Sequence, residues 1–325
     1  MHSNNMIEIR RWVMKVLITG GSGMIGRALI ASLASSGHQA LVLTRNPQSA
    51  RLPGGAEPVQ WDAQSPEGWG HLIDEVEVVV NLAGENLGGL PWTNKRKQIL
   101  RSSRVDAGHA LVEAIKMSSR RPRVLLQVSG TGYYGTSDEA TFTERSEHGS
   151  DYLASICVDW EASTQPVETM GVRRVITRLG VVLSTEGGAL PRFLYPWKLY
   201  VAGPLGSGKQ WISWVHIQDV VNGMRFLIER EDAAGAFNLT APEPVTNETF
   251  GHTLAEVMGR PFWAPVPAFA LKALYGEMST TVLDGQRVLS ERLPALGFQF
   301  TFDRLRPALE DLLKEGSRSF LVDQA

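Results

Sequence analysis

The chain has 325 residues, 43% hydrophobic and 20% charged, which is ample for a large core and more than one lobe. Its net charge of -2, without a basic block or a basic stretch interleaved with aromatics, argues against a nucleic-acid partner and leaves small molecules as the expected ligands. A single cysteine, Cys157, excludes an internal disulfide framework and suits a reducing compartment, so a cytoplasmic location is expected.

No membrane partner is expected, because no apolar run reaches the roughly 18–20 residues that span a bilayer. Residues 1–13 lack the apolar centre of a signal peptide and read as an extension or tag outside the fold. From Met14 onward, strand and helix signals alternate. A strand over Lys15–Thr19 runs into Gly20-Gly21-Ser22-Gly23-Met24-Ile25-Gly26 and a helix over 24–36, with Gly37 as its stop. Such a turn lets the backbone approach a pyrophosphate and aims unpaired helix N–H groups at its charge.

The second strand, residues 40–44, ends at Thr44 and Arg45, where an acidic residue would bond a ribose 2′-hydroxyl; an arginine there favours a 2′-phosphate, and NADP(H) over NAD(H). Further strands are predicted over Pro58–Trp61, Glu77–Leu82, Arg123–Val128 and Arg173–Leu179, with helices over 93–117 and Leu153–Met170. The pattern predicts an α/β fold, a Rossmann-like doubly wound parallel sheet over residues 14–180, followed by a smaller mixed substrate lobe over 181–325. Glycine- and proline-rich stretches at 187–191 and 203–208 suit loops lining a cleft. A strand over Ile212–Ile217 and a helix over Val220–Glu229, capped by Asp219, read as a return to the first domain. Thr246 marks a further helix start and Gly259-Arg260-Pro261 its end. There is no repeat.

Two loops at the carboxyl edge of the sheet carry candidate chemistry. In Asn81-Leu82-Ala83-Gly84-Glu85-Asn86, residues Leu82, Ala83 and Gly84 are expected to face the cofactor. Glu85 is a general acid or base if buried beside the nicotinamide, and otherwise pairs with an arginine. In Ser129-Gly130-Thr131-Gly132-Tyr133-Tyr134-Gly135, Ser129 is a hydroxyl anchor for a substrate oxygen and one tyrosine a proton donor, Tyr133 being preferred to Tyr134. His216 reads as structural, and no metal-like cluster accompanies it. Of Trp211 and Trp214, one is expected in the core and the other on the cleft wall.

Read together, these motifs resemble the extended short-chain dehydrogenase/reductase superfamily, and more narrowly its atypical "epimerase family protein" group. Trp92-Thr93 leading to Ser103-Arg104-Val105, Asp159-Trp160-Glu161, Arg178 through Leu183, Asn238 through Pro242 and the ending through Gly297-Phe298 extend the likeness from Met14 nearly to the C-terminus. The resemblance implies that Thr44 and Arg45 hold the 2′-phosphate side, Leu82 the central cofactor contacts, Arg104 a contact from the long helix, and Val182 a backbone contact near the nicotinamide. It also implies an oxidoreductase or epimerase acting on a sugar nucleotide or other small polar substrate, without a metal, in a chain that can form a homodimer.

One departure qualifies it. Catalytic members place a tyrosine four residues before a lysine, which lowers the tyrosine pKa. Here Tyr152 is followed by Ile156, and Leu153 by Cys157. The alternative is therefore a non-catalytic NADP(H)-binding regulator that responds to the cofactor's redox state.

Overall fold

Val16-Leu17-Ile18, Val78-Val79-Val80 and Val124-Leu125-Leu126 are unbroken apolar runs, the pattern of strands covered on both faces. In the computed structural model, which describes residues 13–322 and side chains to Lys314, they are the centre of a seven-stranded parallel sheet. Its strands are β1 (Lys15–Thr19), β2 (Gln39–Thr44), β3 (Glu57–Gln60), β4 (Val78–Asn81), β5 (Val124–Gly130), β6 (Arg173–Leu179) and β7 (Gly235–Leu239). Their spatial order is β3-β2-β1-β4-β5-β6-β7. The order reverses between β1 and β4, and the carboxyl ends there form the crevice where such sheets bind ligands.

Alternation along the strands feeds two cores. Val16 and Ile18 pack with the helices α1 (Met24–Ser35) and α5 (Ile217–Glu229). Leu17, Val79 and Leu125 face α2 (Asn94–Met117). A third core, built from Leu190, Leu194, Trp214, Phe250 and Leu309 among others, holds the second lobe, with α4 (Leu190–Lys198), α6 (Asn247–Met258) and the helix Leu305–Val322 around it. Among the described residues no helix is long and apolar enough to cross a membrane. The predicted extension, residues 1–13, lies outside the described residues except for Val13.

The departures from the predicted elements have local causes. The helix expected over Leu153–Met170 is two: α3 (Tyr152–Ser163) and a 3-10 turn over Gln165–Met170, because Pro166 cannot donate to a continuing α-helical ladder. The strand expected over Ile212–Ile217 is divided. Trp211–Ile212 pairs antiparallel with Val245–Thr246, while Trp214–His216 pairs parallel with Val181–Leu183. Asp219 is not the cap of α5. His216 is: its Nδ1 accepts the Gln218 N–H at 3.1 Å. Asp219 is fully buried and accepts the backbone N–H groups of Thr301 and Phe302 at 2.8 and 2.9 Å, tying the C-terminal segment to α5. β7 was not predicted, and it pairs with β6 along its whole length. At α6, Thr246 caps through Oγ1 and Gly259 ends the helix at φ +60, as their residue types imply.

Candidate functional site: a dinucleotide groove beside a second cavity

The glycine turn after β1 is forced into its shape by close packing. Gly20 has φ +66, and a Cβ there would lie 2.6 Å from the Leu82 carbonyl oxygen. A Cβ on Gly26 would lie 2.5 Å from both the Gly20 oxygen and the Gly21 Cα. The turn delivers Gly23 as N-cap of α1, with no side-chain cap and no acidic residue in the first turn. An uncapped, positively polarised helix end is therefore left facing outward.

It opens on a groove of about 750 Å³, lined by Gly20, Ser22 and Gly23 on one side and by Leu82, Ala83, Gly84 and Glu85 on another. Thr44 and Arg45 stand in its wall together with Arg27 and Arg51. Arg45 makes no ion pair among the described residues, and Arg27 reaches across to the Arg51 carbonyl at 2.9 Å. Three guanidinium groups on one rim, above an uncapped helix end, fit a phosphorylated dinucleotide. Arg27 and Arg51 escaped the sequence reading because neither belongs to the strand-end position that marks cofactor choice.

A buried polar rail fixes the far wall. Register places Thr19 opposite Asn81 and Asn81 opposite Gln127. The Thr19 hydroxyl donates to Asn81 Oδ1 at 2.6 Å, and Asn81 Nδ2 donates to Gln127 Oε1 at 2.9 Å. Thr19 Oγ1 also accepts the N–H groups of Leu82 and Ala83, both at 3.1 Å. The loop after β4 is thus held by a chain of side chains from three neighbouring strands, Thr19 and Asn81 at the carboxyl ends of β1 and β4 and Gln127 midway along β5. Only the pairing of those strands reveals the rail.

Arg104 comes off α2 and is 6% exposed. It is not in a surface ion pair. Nη1 donates to the Leu100 carbonyl at 2.7 Å and Nη2 to the Glu85 carbonyl at 3.0 Å, with its guanidinium 5.0 Å from the Trp160 ring. Burial pulls its pKa down, opposed by nearby Cys157, Tyr152 and Glu85. The Glu85 carboxylate points elsewhere, onto Arg96 at 3.3 Å, and lines the groove.

Beyond α1's first turn lies a second cavity of about 530 Å³, bordered by Ile25, Ser129, Val182 and Arg104. Met24 sits beside it against Gly187 and Gly188. Ser129 is 2% exposed, and its Oγ has no hydrogen-bond partner. Cys157 shares this wall; burial pushes its thiol up to about 11, which keeps it protonated. Trp211 lines the cavity, whereas Trp214 is completely buried.

Neither tyrosine of the β5 loop lines the cavity. Tyr133 lies against Arg178, whose guanidinium is 3.4 Å from its ring centre, and against His148. Tyr134 is buried, its hydroxyl donating to Asn238 Oδ1 at 2.6 Å and accepting from Arg178 Nη1 at 3.0 Å. The geometry therefore does not bring Tyr133 together with Ser129 in the cavity, and Glu85 belongs to the groove instead. The tyrosine that does line the cavity is Tyr152. Its hydroxyl donates to the Lys97 carbonyl at 2.9 Å, and burial raises its pKa despite Arg104 nearby. His216 is a structural cap. Among the described residues no three His, Cys, Asp or Glu side chains gather to hold a metal ion.

The model of the NAD dependent epimerase/dehydratase family matches residues 16–240, ending just after β7, and a domain of unknown function (DUF1731) matches residues 266–312. An epimerase family protein of Staphylococcus aureus strain N315 is 42% identical over 301 residues, covering 92% of this chain and 99% of its own length. Among solved structures, the human epimerase family protein SDR39U1 (isoform 2), crystallised with NADPH, superposes with a TM-score of 0.85 at 32% identity, over 93% of this chain and 99% of that one. A nucleoside-diphosphate sugar epimerase from Corynebacterium glutamicum gives a TM-score of 0.74 at 30% identity, over 93% of this chain and 59% of its own. With its seven-stranded parallel sheet and glycine turn matching along this whole length, the chain belongs to the NAD-dependent epimerase/dehydratase family, in the group of epimerase family proteins that carry the DUF1731 domain.

Proposed function

We propose that the protein is an NADP(H)-dependent oxidoreductase or epimerase-like enzyme acting on a small hydroxyl or carbonyl compound. The observation that carries this reading is the uncapped α1 N-terminus opening on a groove rimmed by Arg27, Arg45 and Arg51, next to a cavity walled by Ser129. When bound, a nicotinamide dinucleotide supplies or accepts hydride. The glycine turn and α1 would hold its pyrophosphate, and Thr44 and Arg45 its 2′-phosphate. The Leu82–Gly84 loop, fixed by Thr19, would shape the middle of the groove. Val182 and Ile25 border the cavity end. Ser129, buried without a partner, would bond the substrate oxygen. Support for NADP(H) also comes from the NADPH bound to the human relative.

A second reading, a non-catalytic NADP(H)-responsive regulator, is favoured by Tyr152. Its hydroxyl is engaged by the Lys97 carbonyl, and Ile156 supplies no cation one turn on. The test is hydride exchange from 4-deuterated NADPH into a carbonyl panel, with wild type and Ser129→Ala. Stereospecific exchange that falls at least about ten-fold in the variant supports catalysis through Ser129, a loss typical of one positioned hydrogen-bonding group. Tight NADPH binding with no exchange by wild type favours the regulator. Exchange unchanged by Ser129→Ala would remove Ser129 from its role.

A further inference from the structure

The charges around the second cavity are distributed very differently from those around the groove. Its lining contains one cation, Arg104, against three carboxylates, Asp151, Glu277 and Asp284. Arg104 is already committed to two backbone carbonyls. Of the helix N-termini around the cavity, those of α3 and α6 are closed by side chains, whereas α1, whose Ile25 borders the cavity, turns its uncapped end to the dinucleotide groove. At α3, Asp151 Oδ1 accepts the Ala154 N–H at 2.8 Å, so a carboxylate occupies the place an anionic ligand would take. At α6, Thr246 Oγ1 accepts the Thr249 N–H, and Asn247 Oδ1 accepts the Leu205 N–H. Cations nearby are engaged as well: Lys97 pairs with Glu277 at 2.5 Å, and Arg287 lies 4.9 Å from the Trp211 ring centre.

A diphosphate taken into such a site would need paired cations or free N–H groups to replace its hydration. The described lining offers no second cation, and among its buried side-chain N–H groups only the Trp160 indole Nε1 lacks a partner, too little for a diphosphate. Its aromatic walls, Trp92, Tyr152, Phe193 and Trp211, and the buried Ser129 hydroxyl and Gln210 Oε1, both without partners, suit a different molecule. Burial raises the Asp284 pKa, with Asp138 and Asp151 adding to the rise and Lys272 opposing it, in keeping with an excess of negative charge on this wall.

We propose that the cavity takes a compact carbonyl or alcohol with an apolar body that is neutral or cationic, rather than a nucleoside diphosphate sugar. For turnover this rests on the NADP(H)-dependent reading above; for binding it stands on the lining alone.

The test is calorimetry on the full chain loaded with NADP+, in which an aldehyde can bind but cannot be reduced. The probes are 4-(trimethylammonio)benzaldehyde, its neutral isostere 4-tert-butylbenzaldehyde, 4-carboxybenzaldehyde and UDP-glucose. The cationic and neutral aldehydes are expected to bind at least about ten-fold more tightly than the carboxylate, the size of effect one nearby uncompensated charge produces. Asp284→Asn should shrink the advantage of the cation over its isostere by roughly three-fold while NADPH affinity holds. Micromolar binding of UDP-glucose, preference for the carboxylate, or failure of both other aldehydes to bind at millimolar concentration would each overturn the proposal. Repeating the titrations without cofactor keeps the two readings apart. Failure to bind NADP(H) counts against the functional reading alone, and the order of ligand charges judges this one.

Discussion

At the residue scale, cofactor choice and the glycine turn are the sharpest points. Arg45 has no anionic partner among the described residues and stands beside Thr44 in the groove wall. Arg45→Asp is expected to weaken NADPH binding by roughly ten-fold or more, the range for losing a charged hydrogen bond, with NADH much less affected. Parallel fluorescence titrations check it, and equal losses for both cofactors would remove Arg45 from the 2′-phosphate role. Gly26→Ala tests the turn. The added methyl meets backbone atoms at 2.5 Å, so the chain must move, at about 1–3 kcal/mol by the measure of overpacked cores. Urea denaturation should show that loss together with weaker NADPH binding. Both residues were legible in the sequence, since a strand-turn-helix pattern requires glycine where backbones touch. The placement of Tyr133 was not. Adjacent tyrosines at one strand end look equivalent in one dimension, and only Arg178, Asn238 and the fold of the loop decide where each hydroxyl goes.

At the element scale, the buried pair Arg178–Glu161 joins β6 to α3 and, through Tyr134, to Asn238 on β7. The two side chains are 6% and 9% exposed. Glu161 favours the charged guanidinium, whose pKa rises despite burial. Arg178→Met is expected to cost about 3–5 kcal/mol, because Glu161 is left charged and unpaired in the interior. The double variant Arg178→Met with Glu161→Met should recover much of that loss, and chemical denaturation of the three forms would show it. If the single variant lost under about 1 kcal/mol, the pair would not be the connection proposed. The sequence displays both residues but not their contact, which depends on α3 stopping at Ser163 and β7 completing the sheet.

At the scale of the whole molecule, residues beyond β6 hold the two lobes together. His216 caps α5, packs against the Phe302 ring with centroids 3.9 Å apart and approaches Asp311 at 3.4 Å. Burial lowers its pKa below the ordinary 6.5, against the pull of Asp311 and Asp219. The unfolded chain then binds the proton more readily than the folded one. This contribution to stability is full above about pH 6.5 and is lost as the pH falls through the lower, folded-state value. Denaturation between about pH 7.5 and 5.5 should show that decline, and His216→Asn, which retains a capping side chain, should flatten it. An unchanged slope in the variant would assign the decline to other groups.

Local chemistry, then, determined the alternation of strands and helices that a parallel sheet requires, the glycine turn and the arginine at the end of β2, because each depends on neighbours close along the chain. The tertiary structure alone decided what occupies the second cavity's walls. Asp151 lies far along the chain from Glu277 and Asp284, and the three carboxylates meet on one wall only when α3 and the segment after α6 pack together, a juxtaposition that depends on tertiary contacts and not on neighbours in sequence.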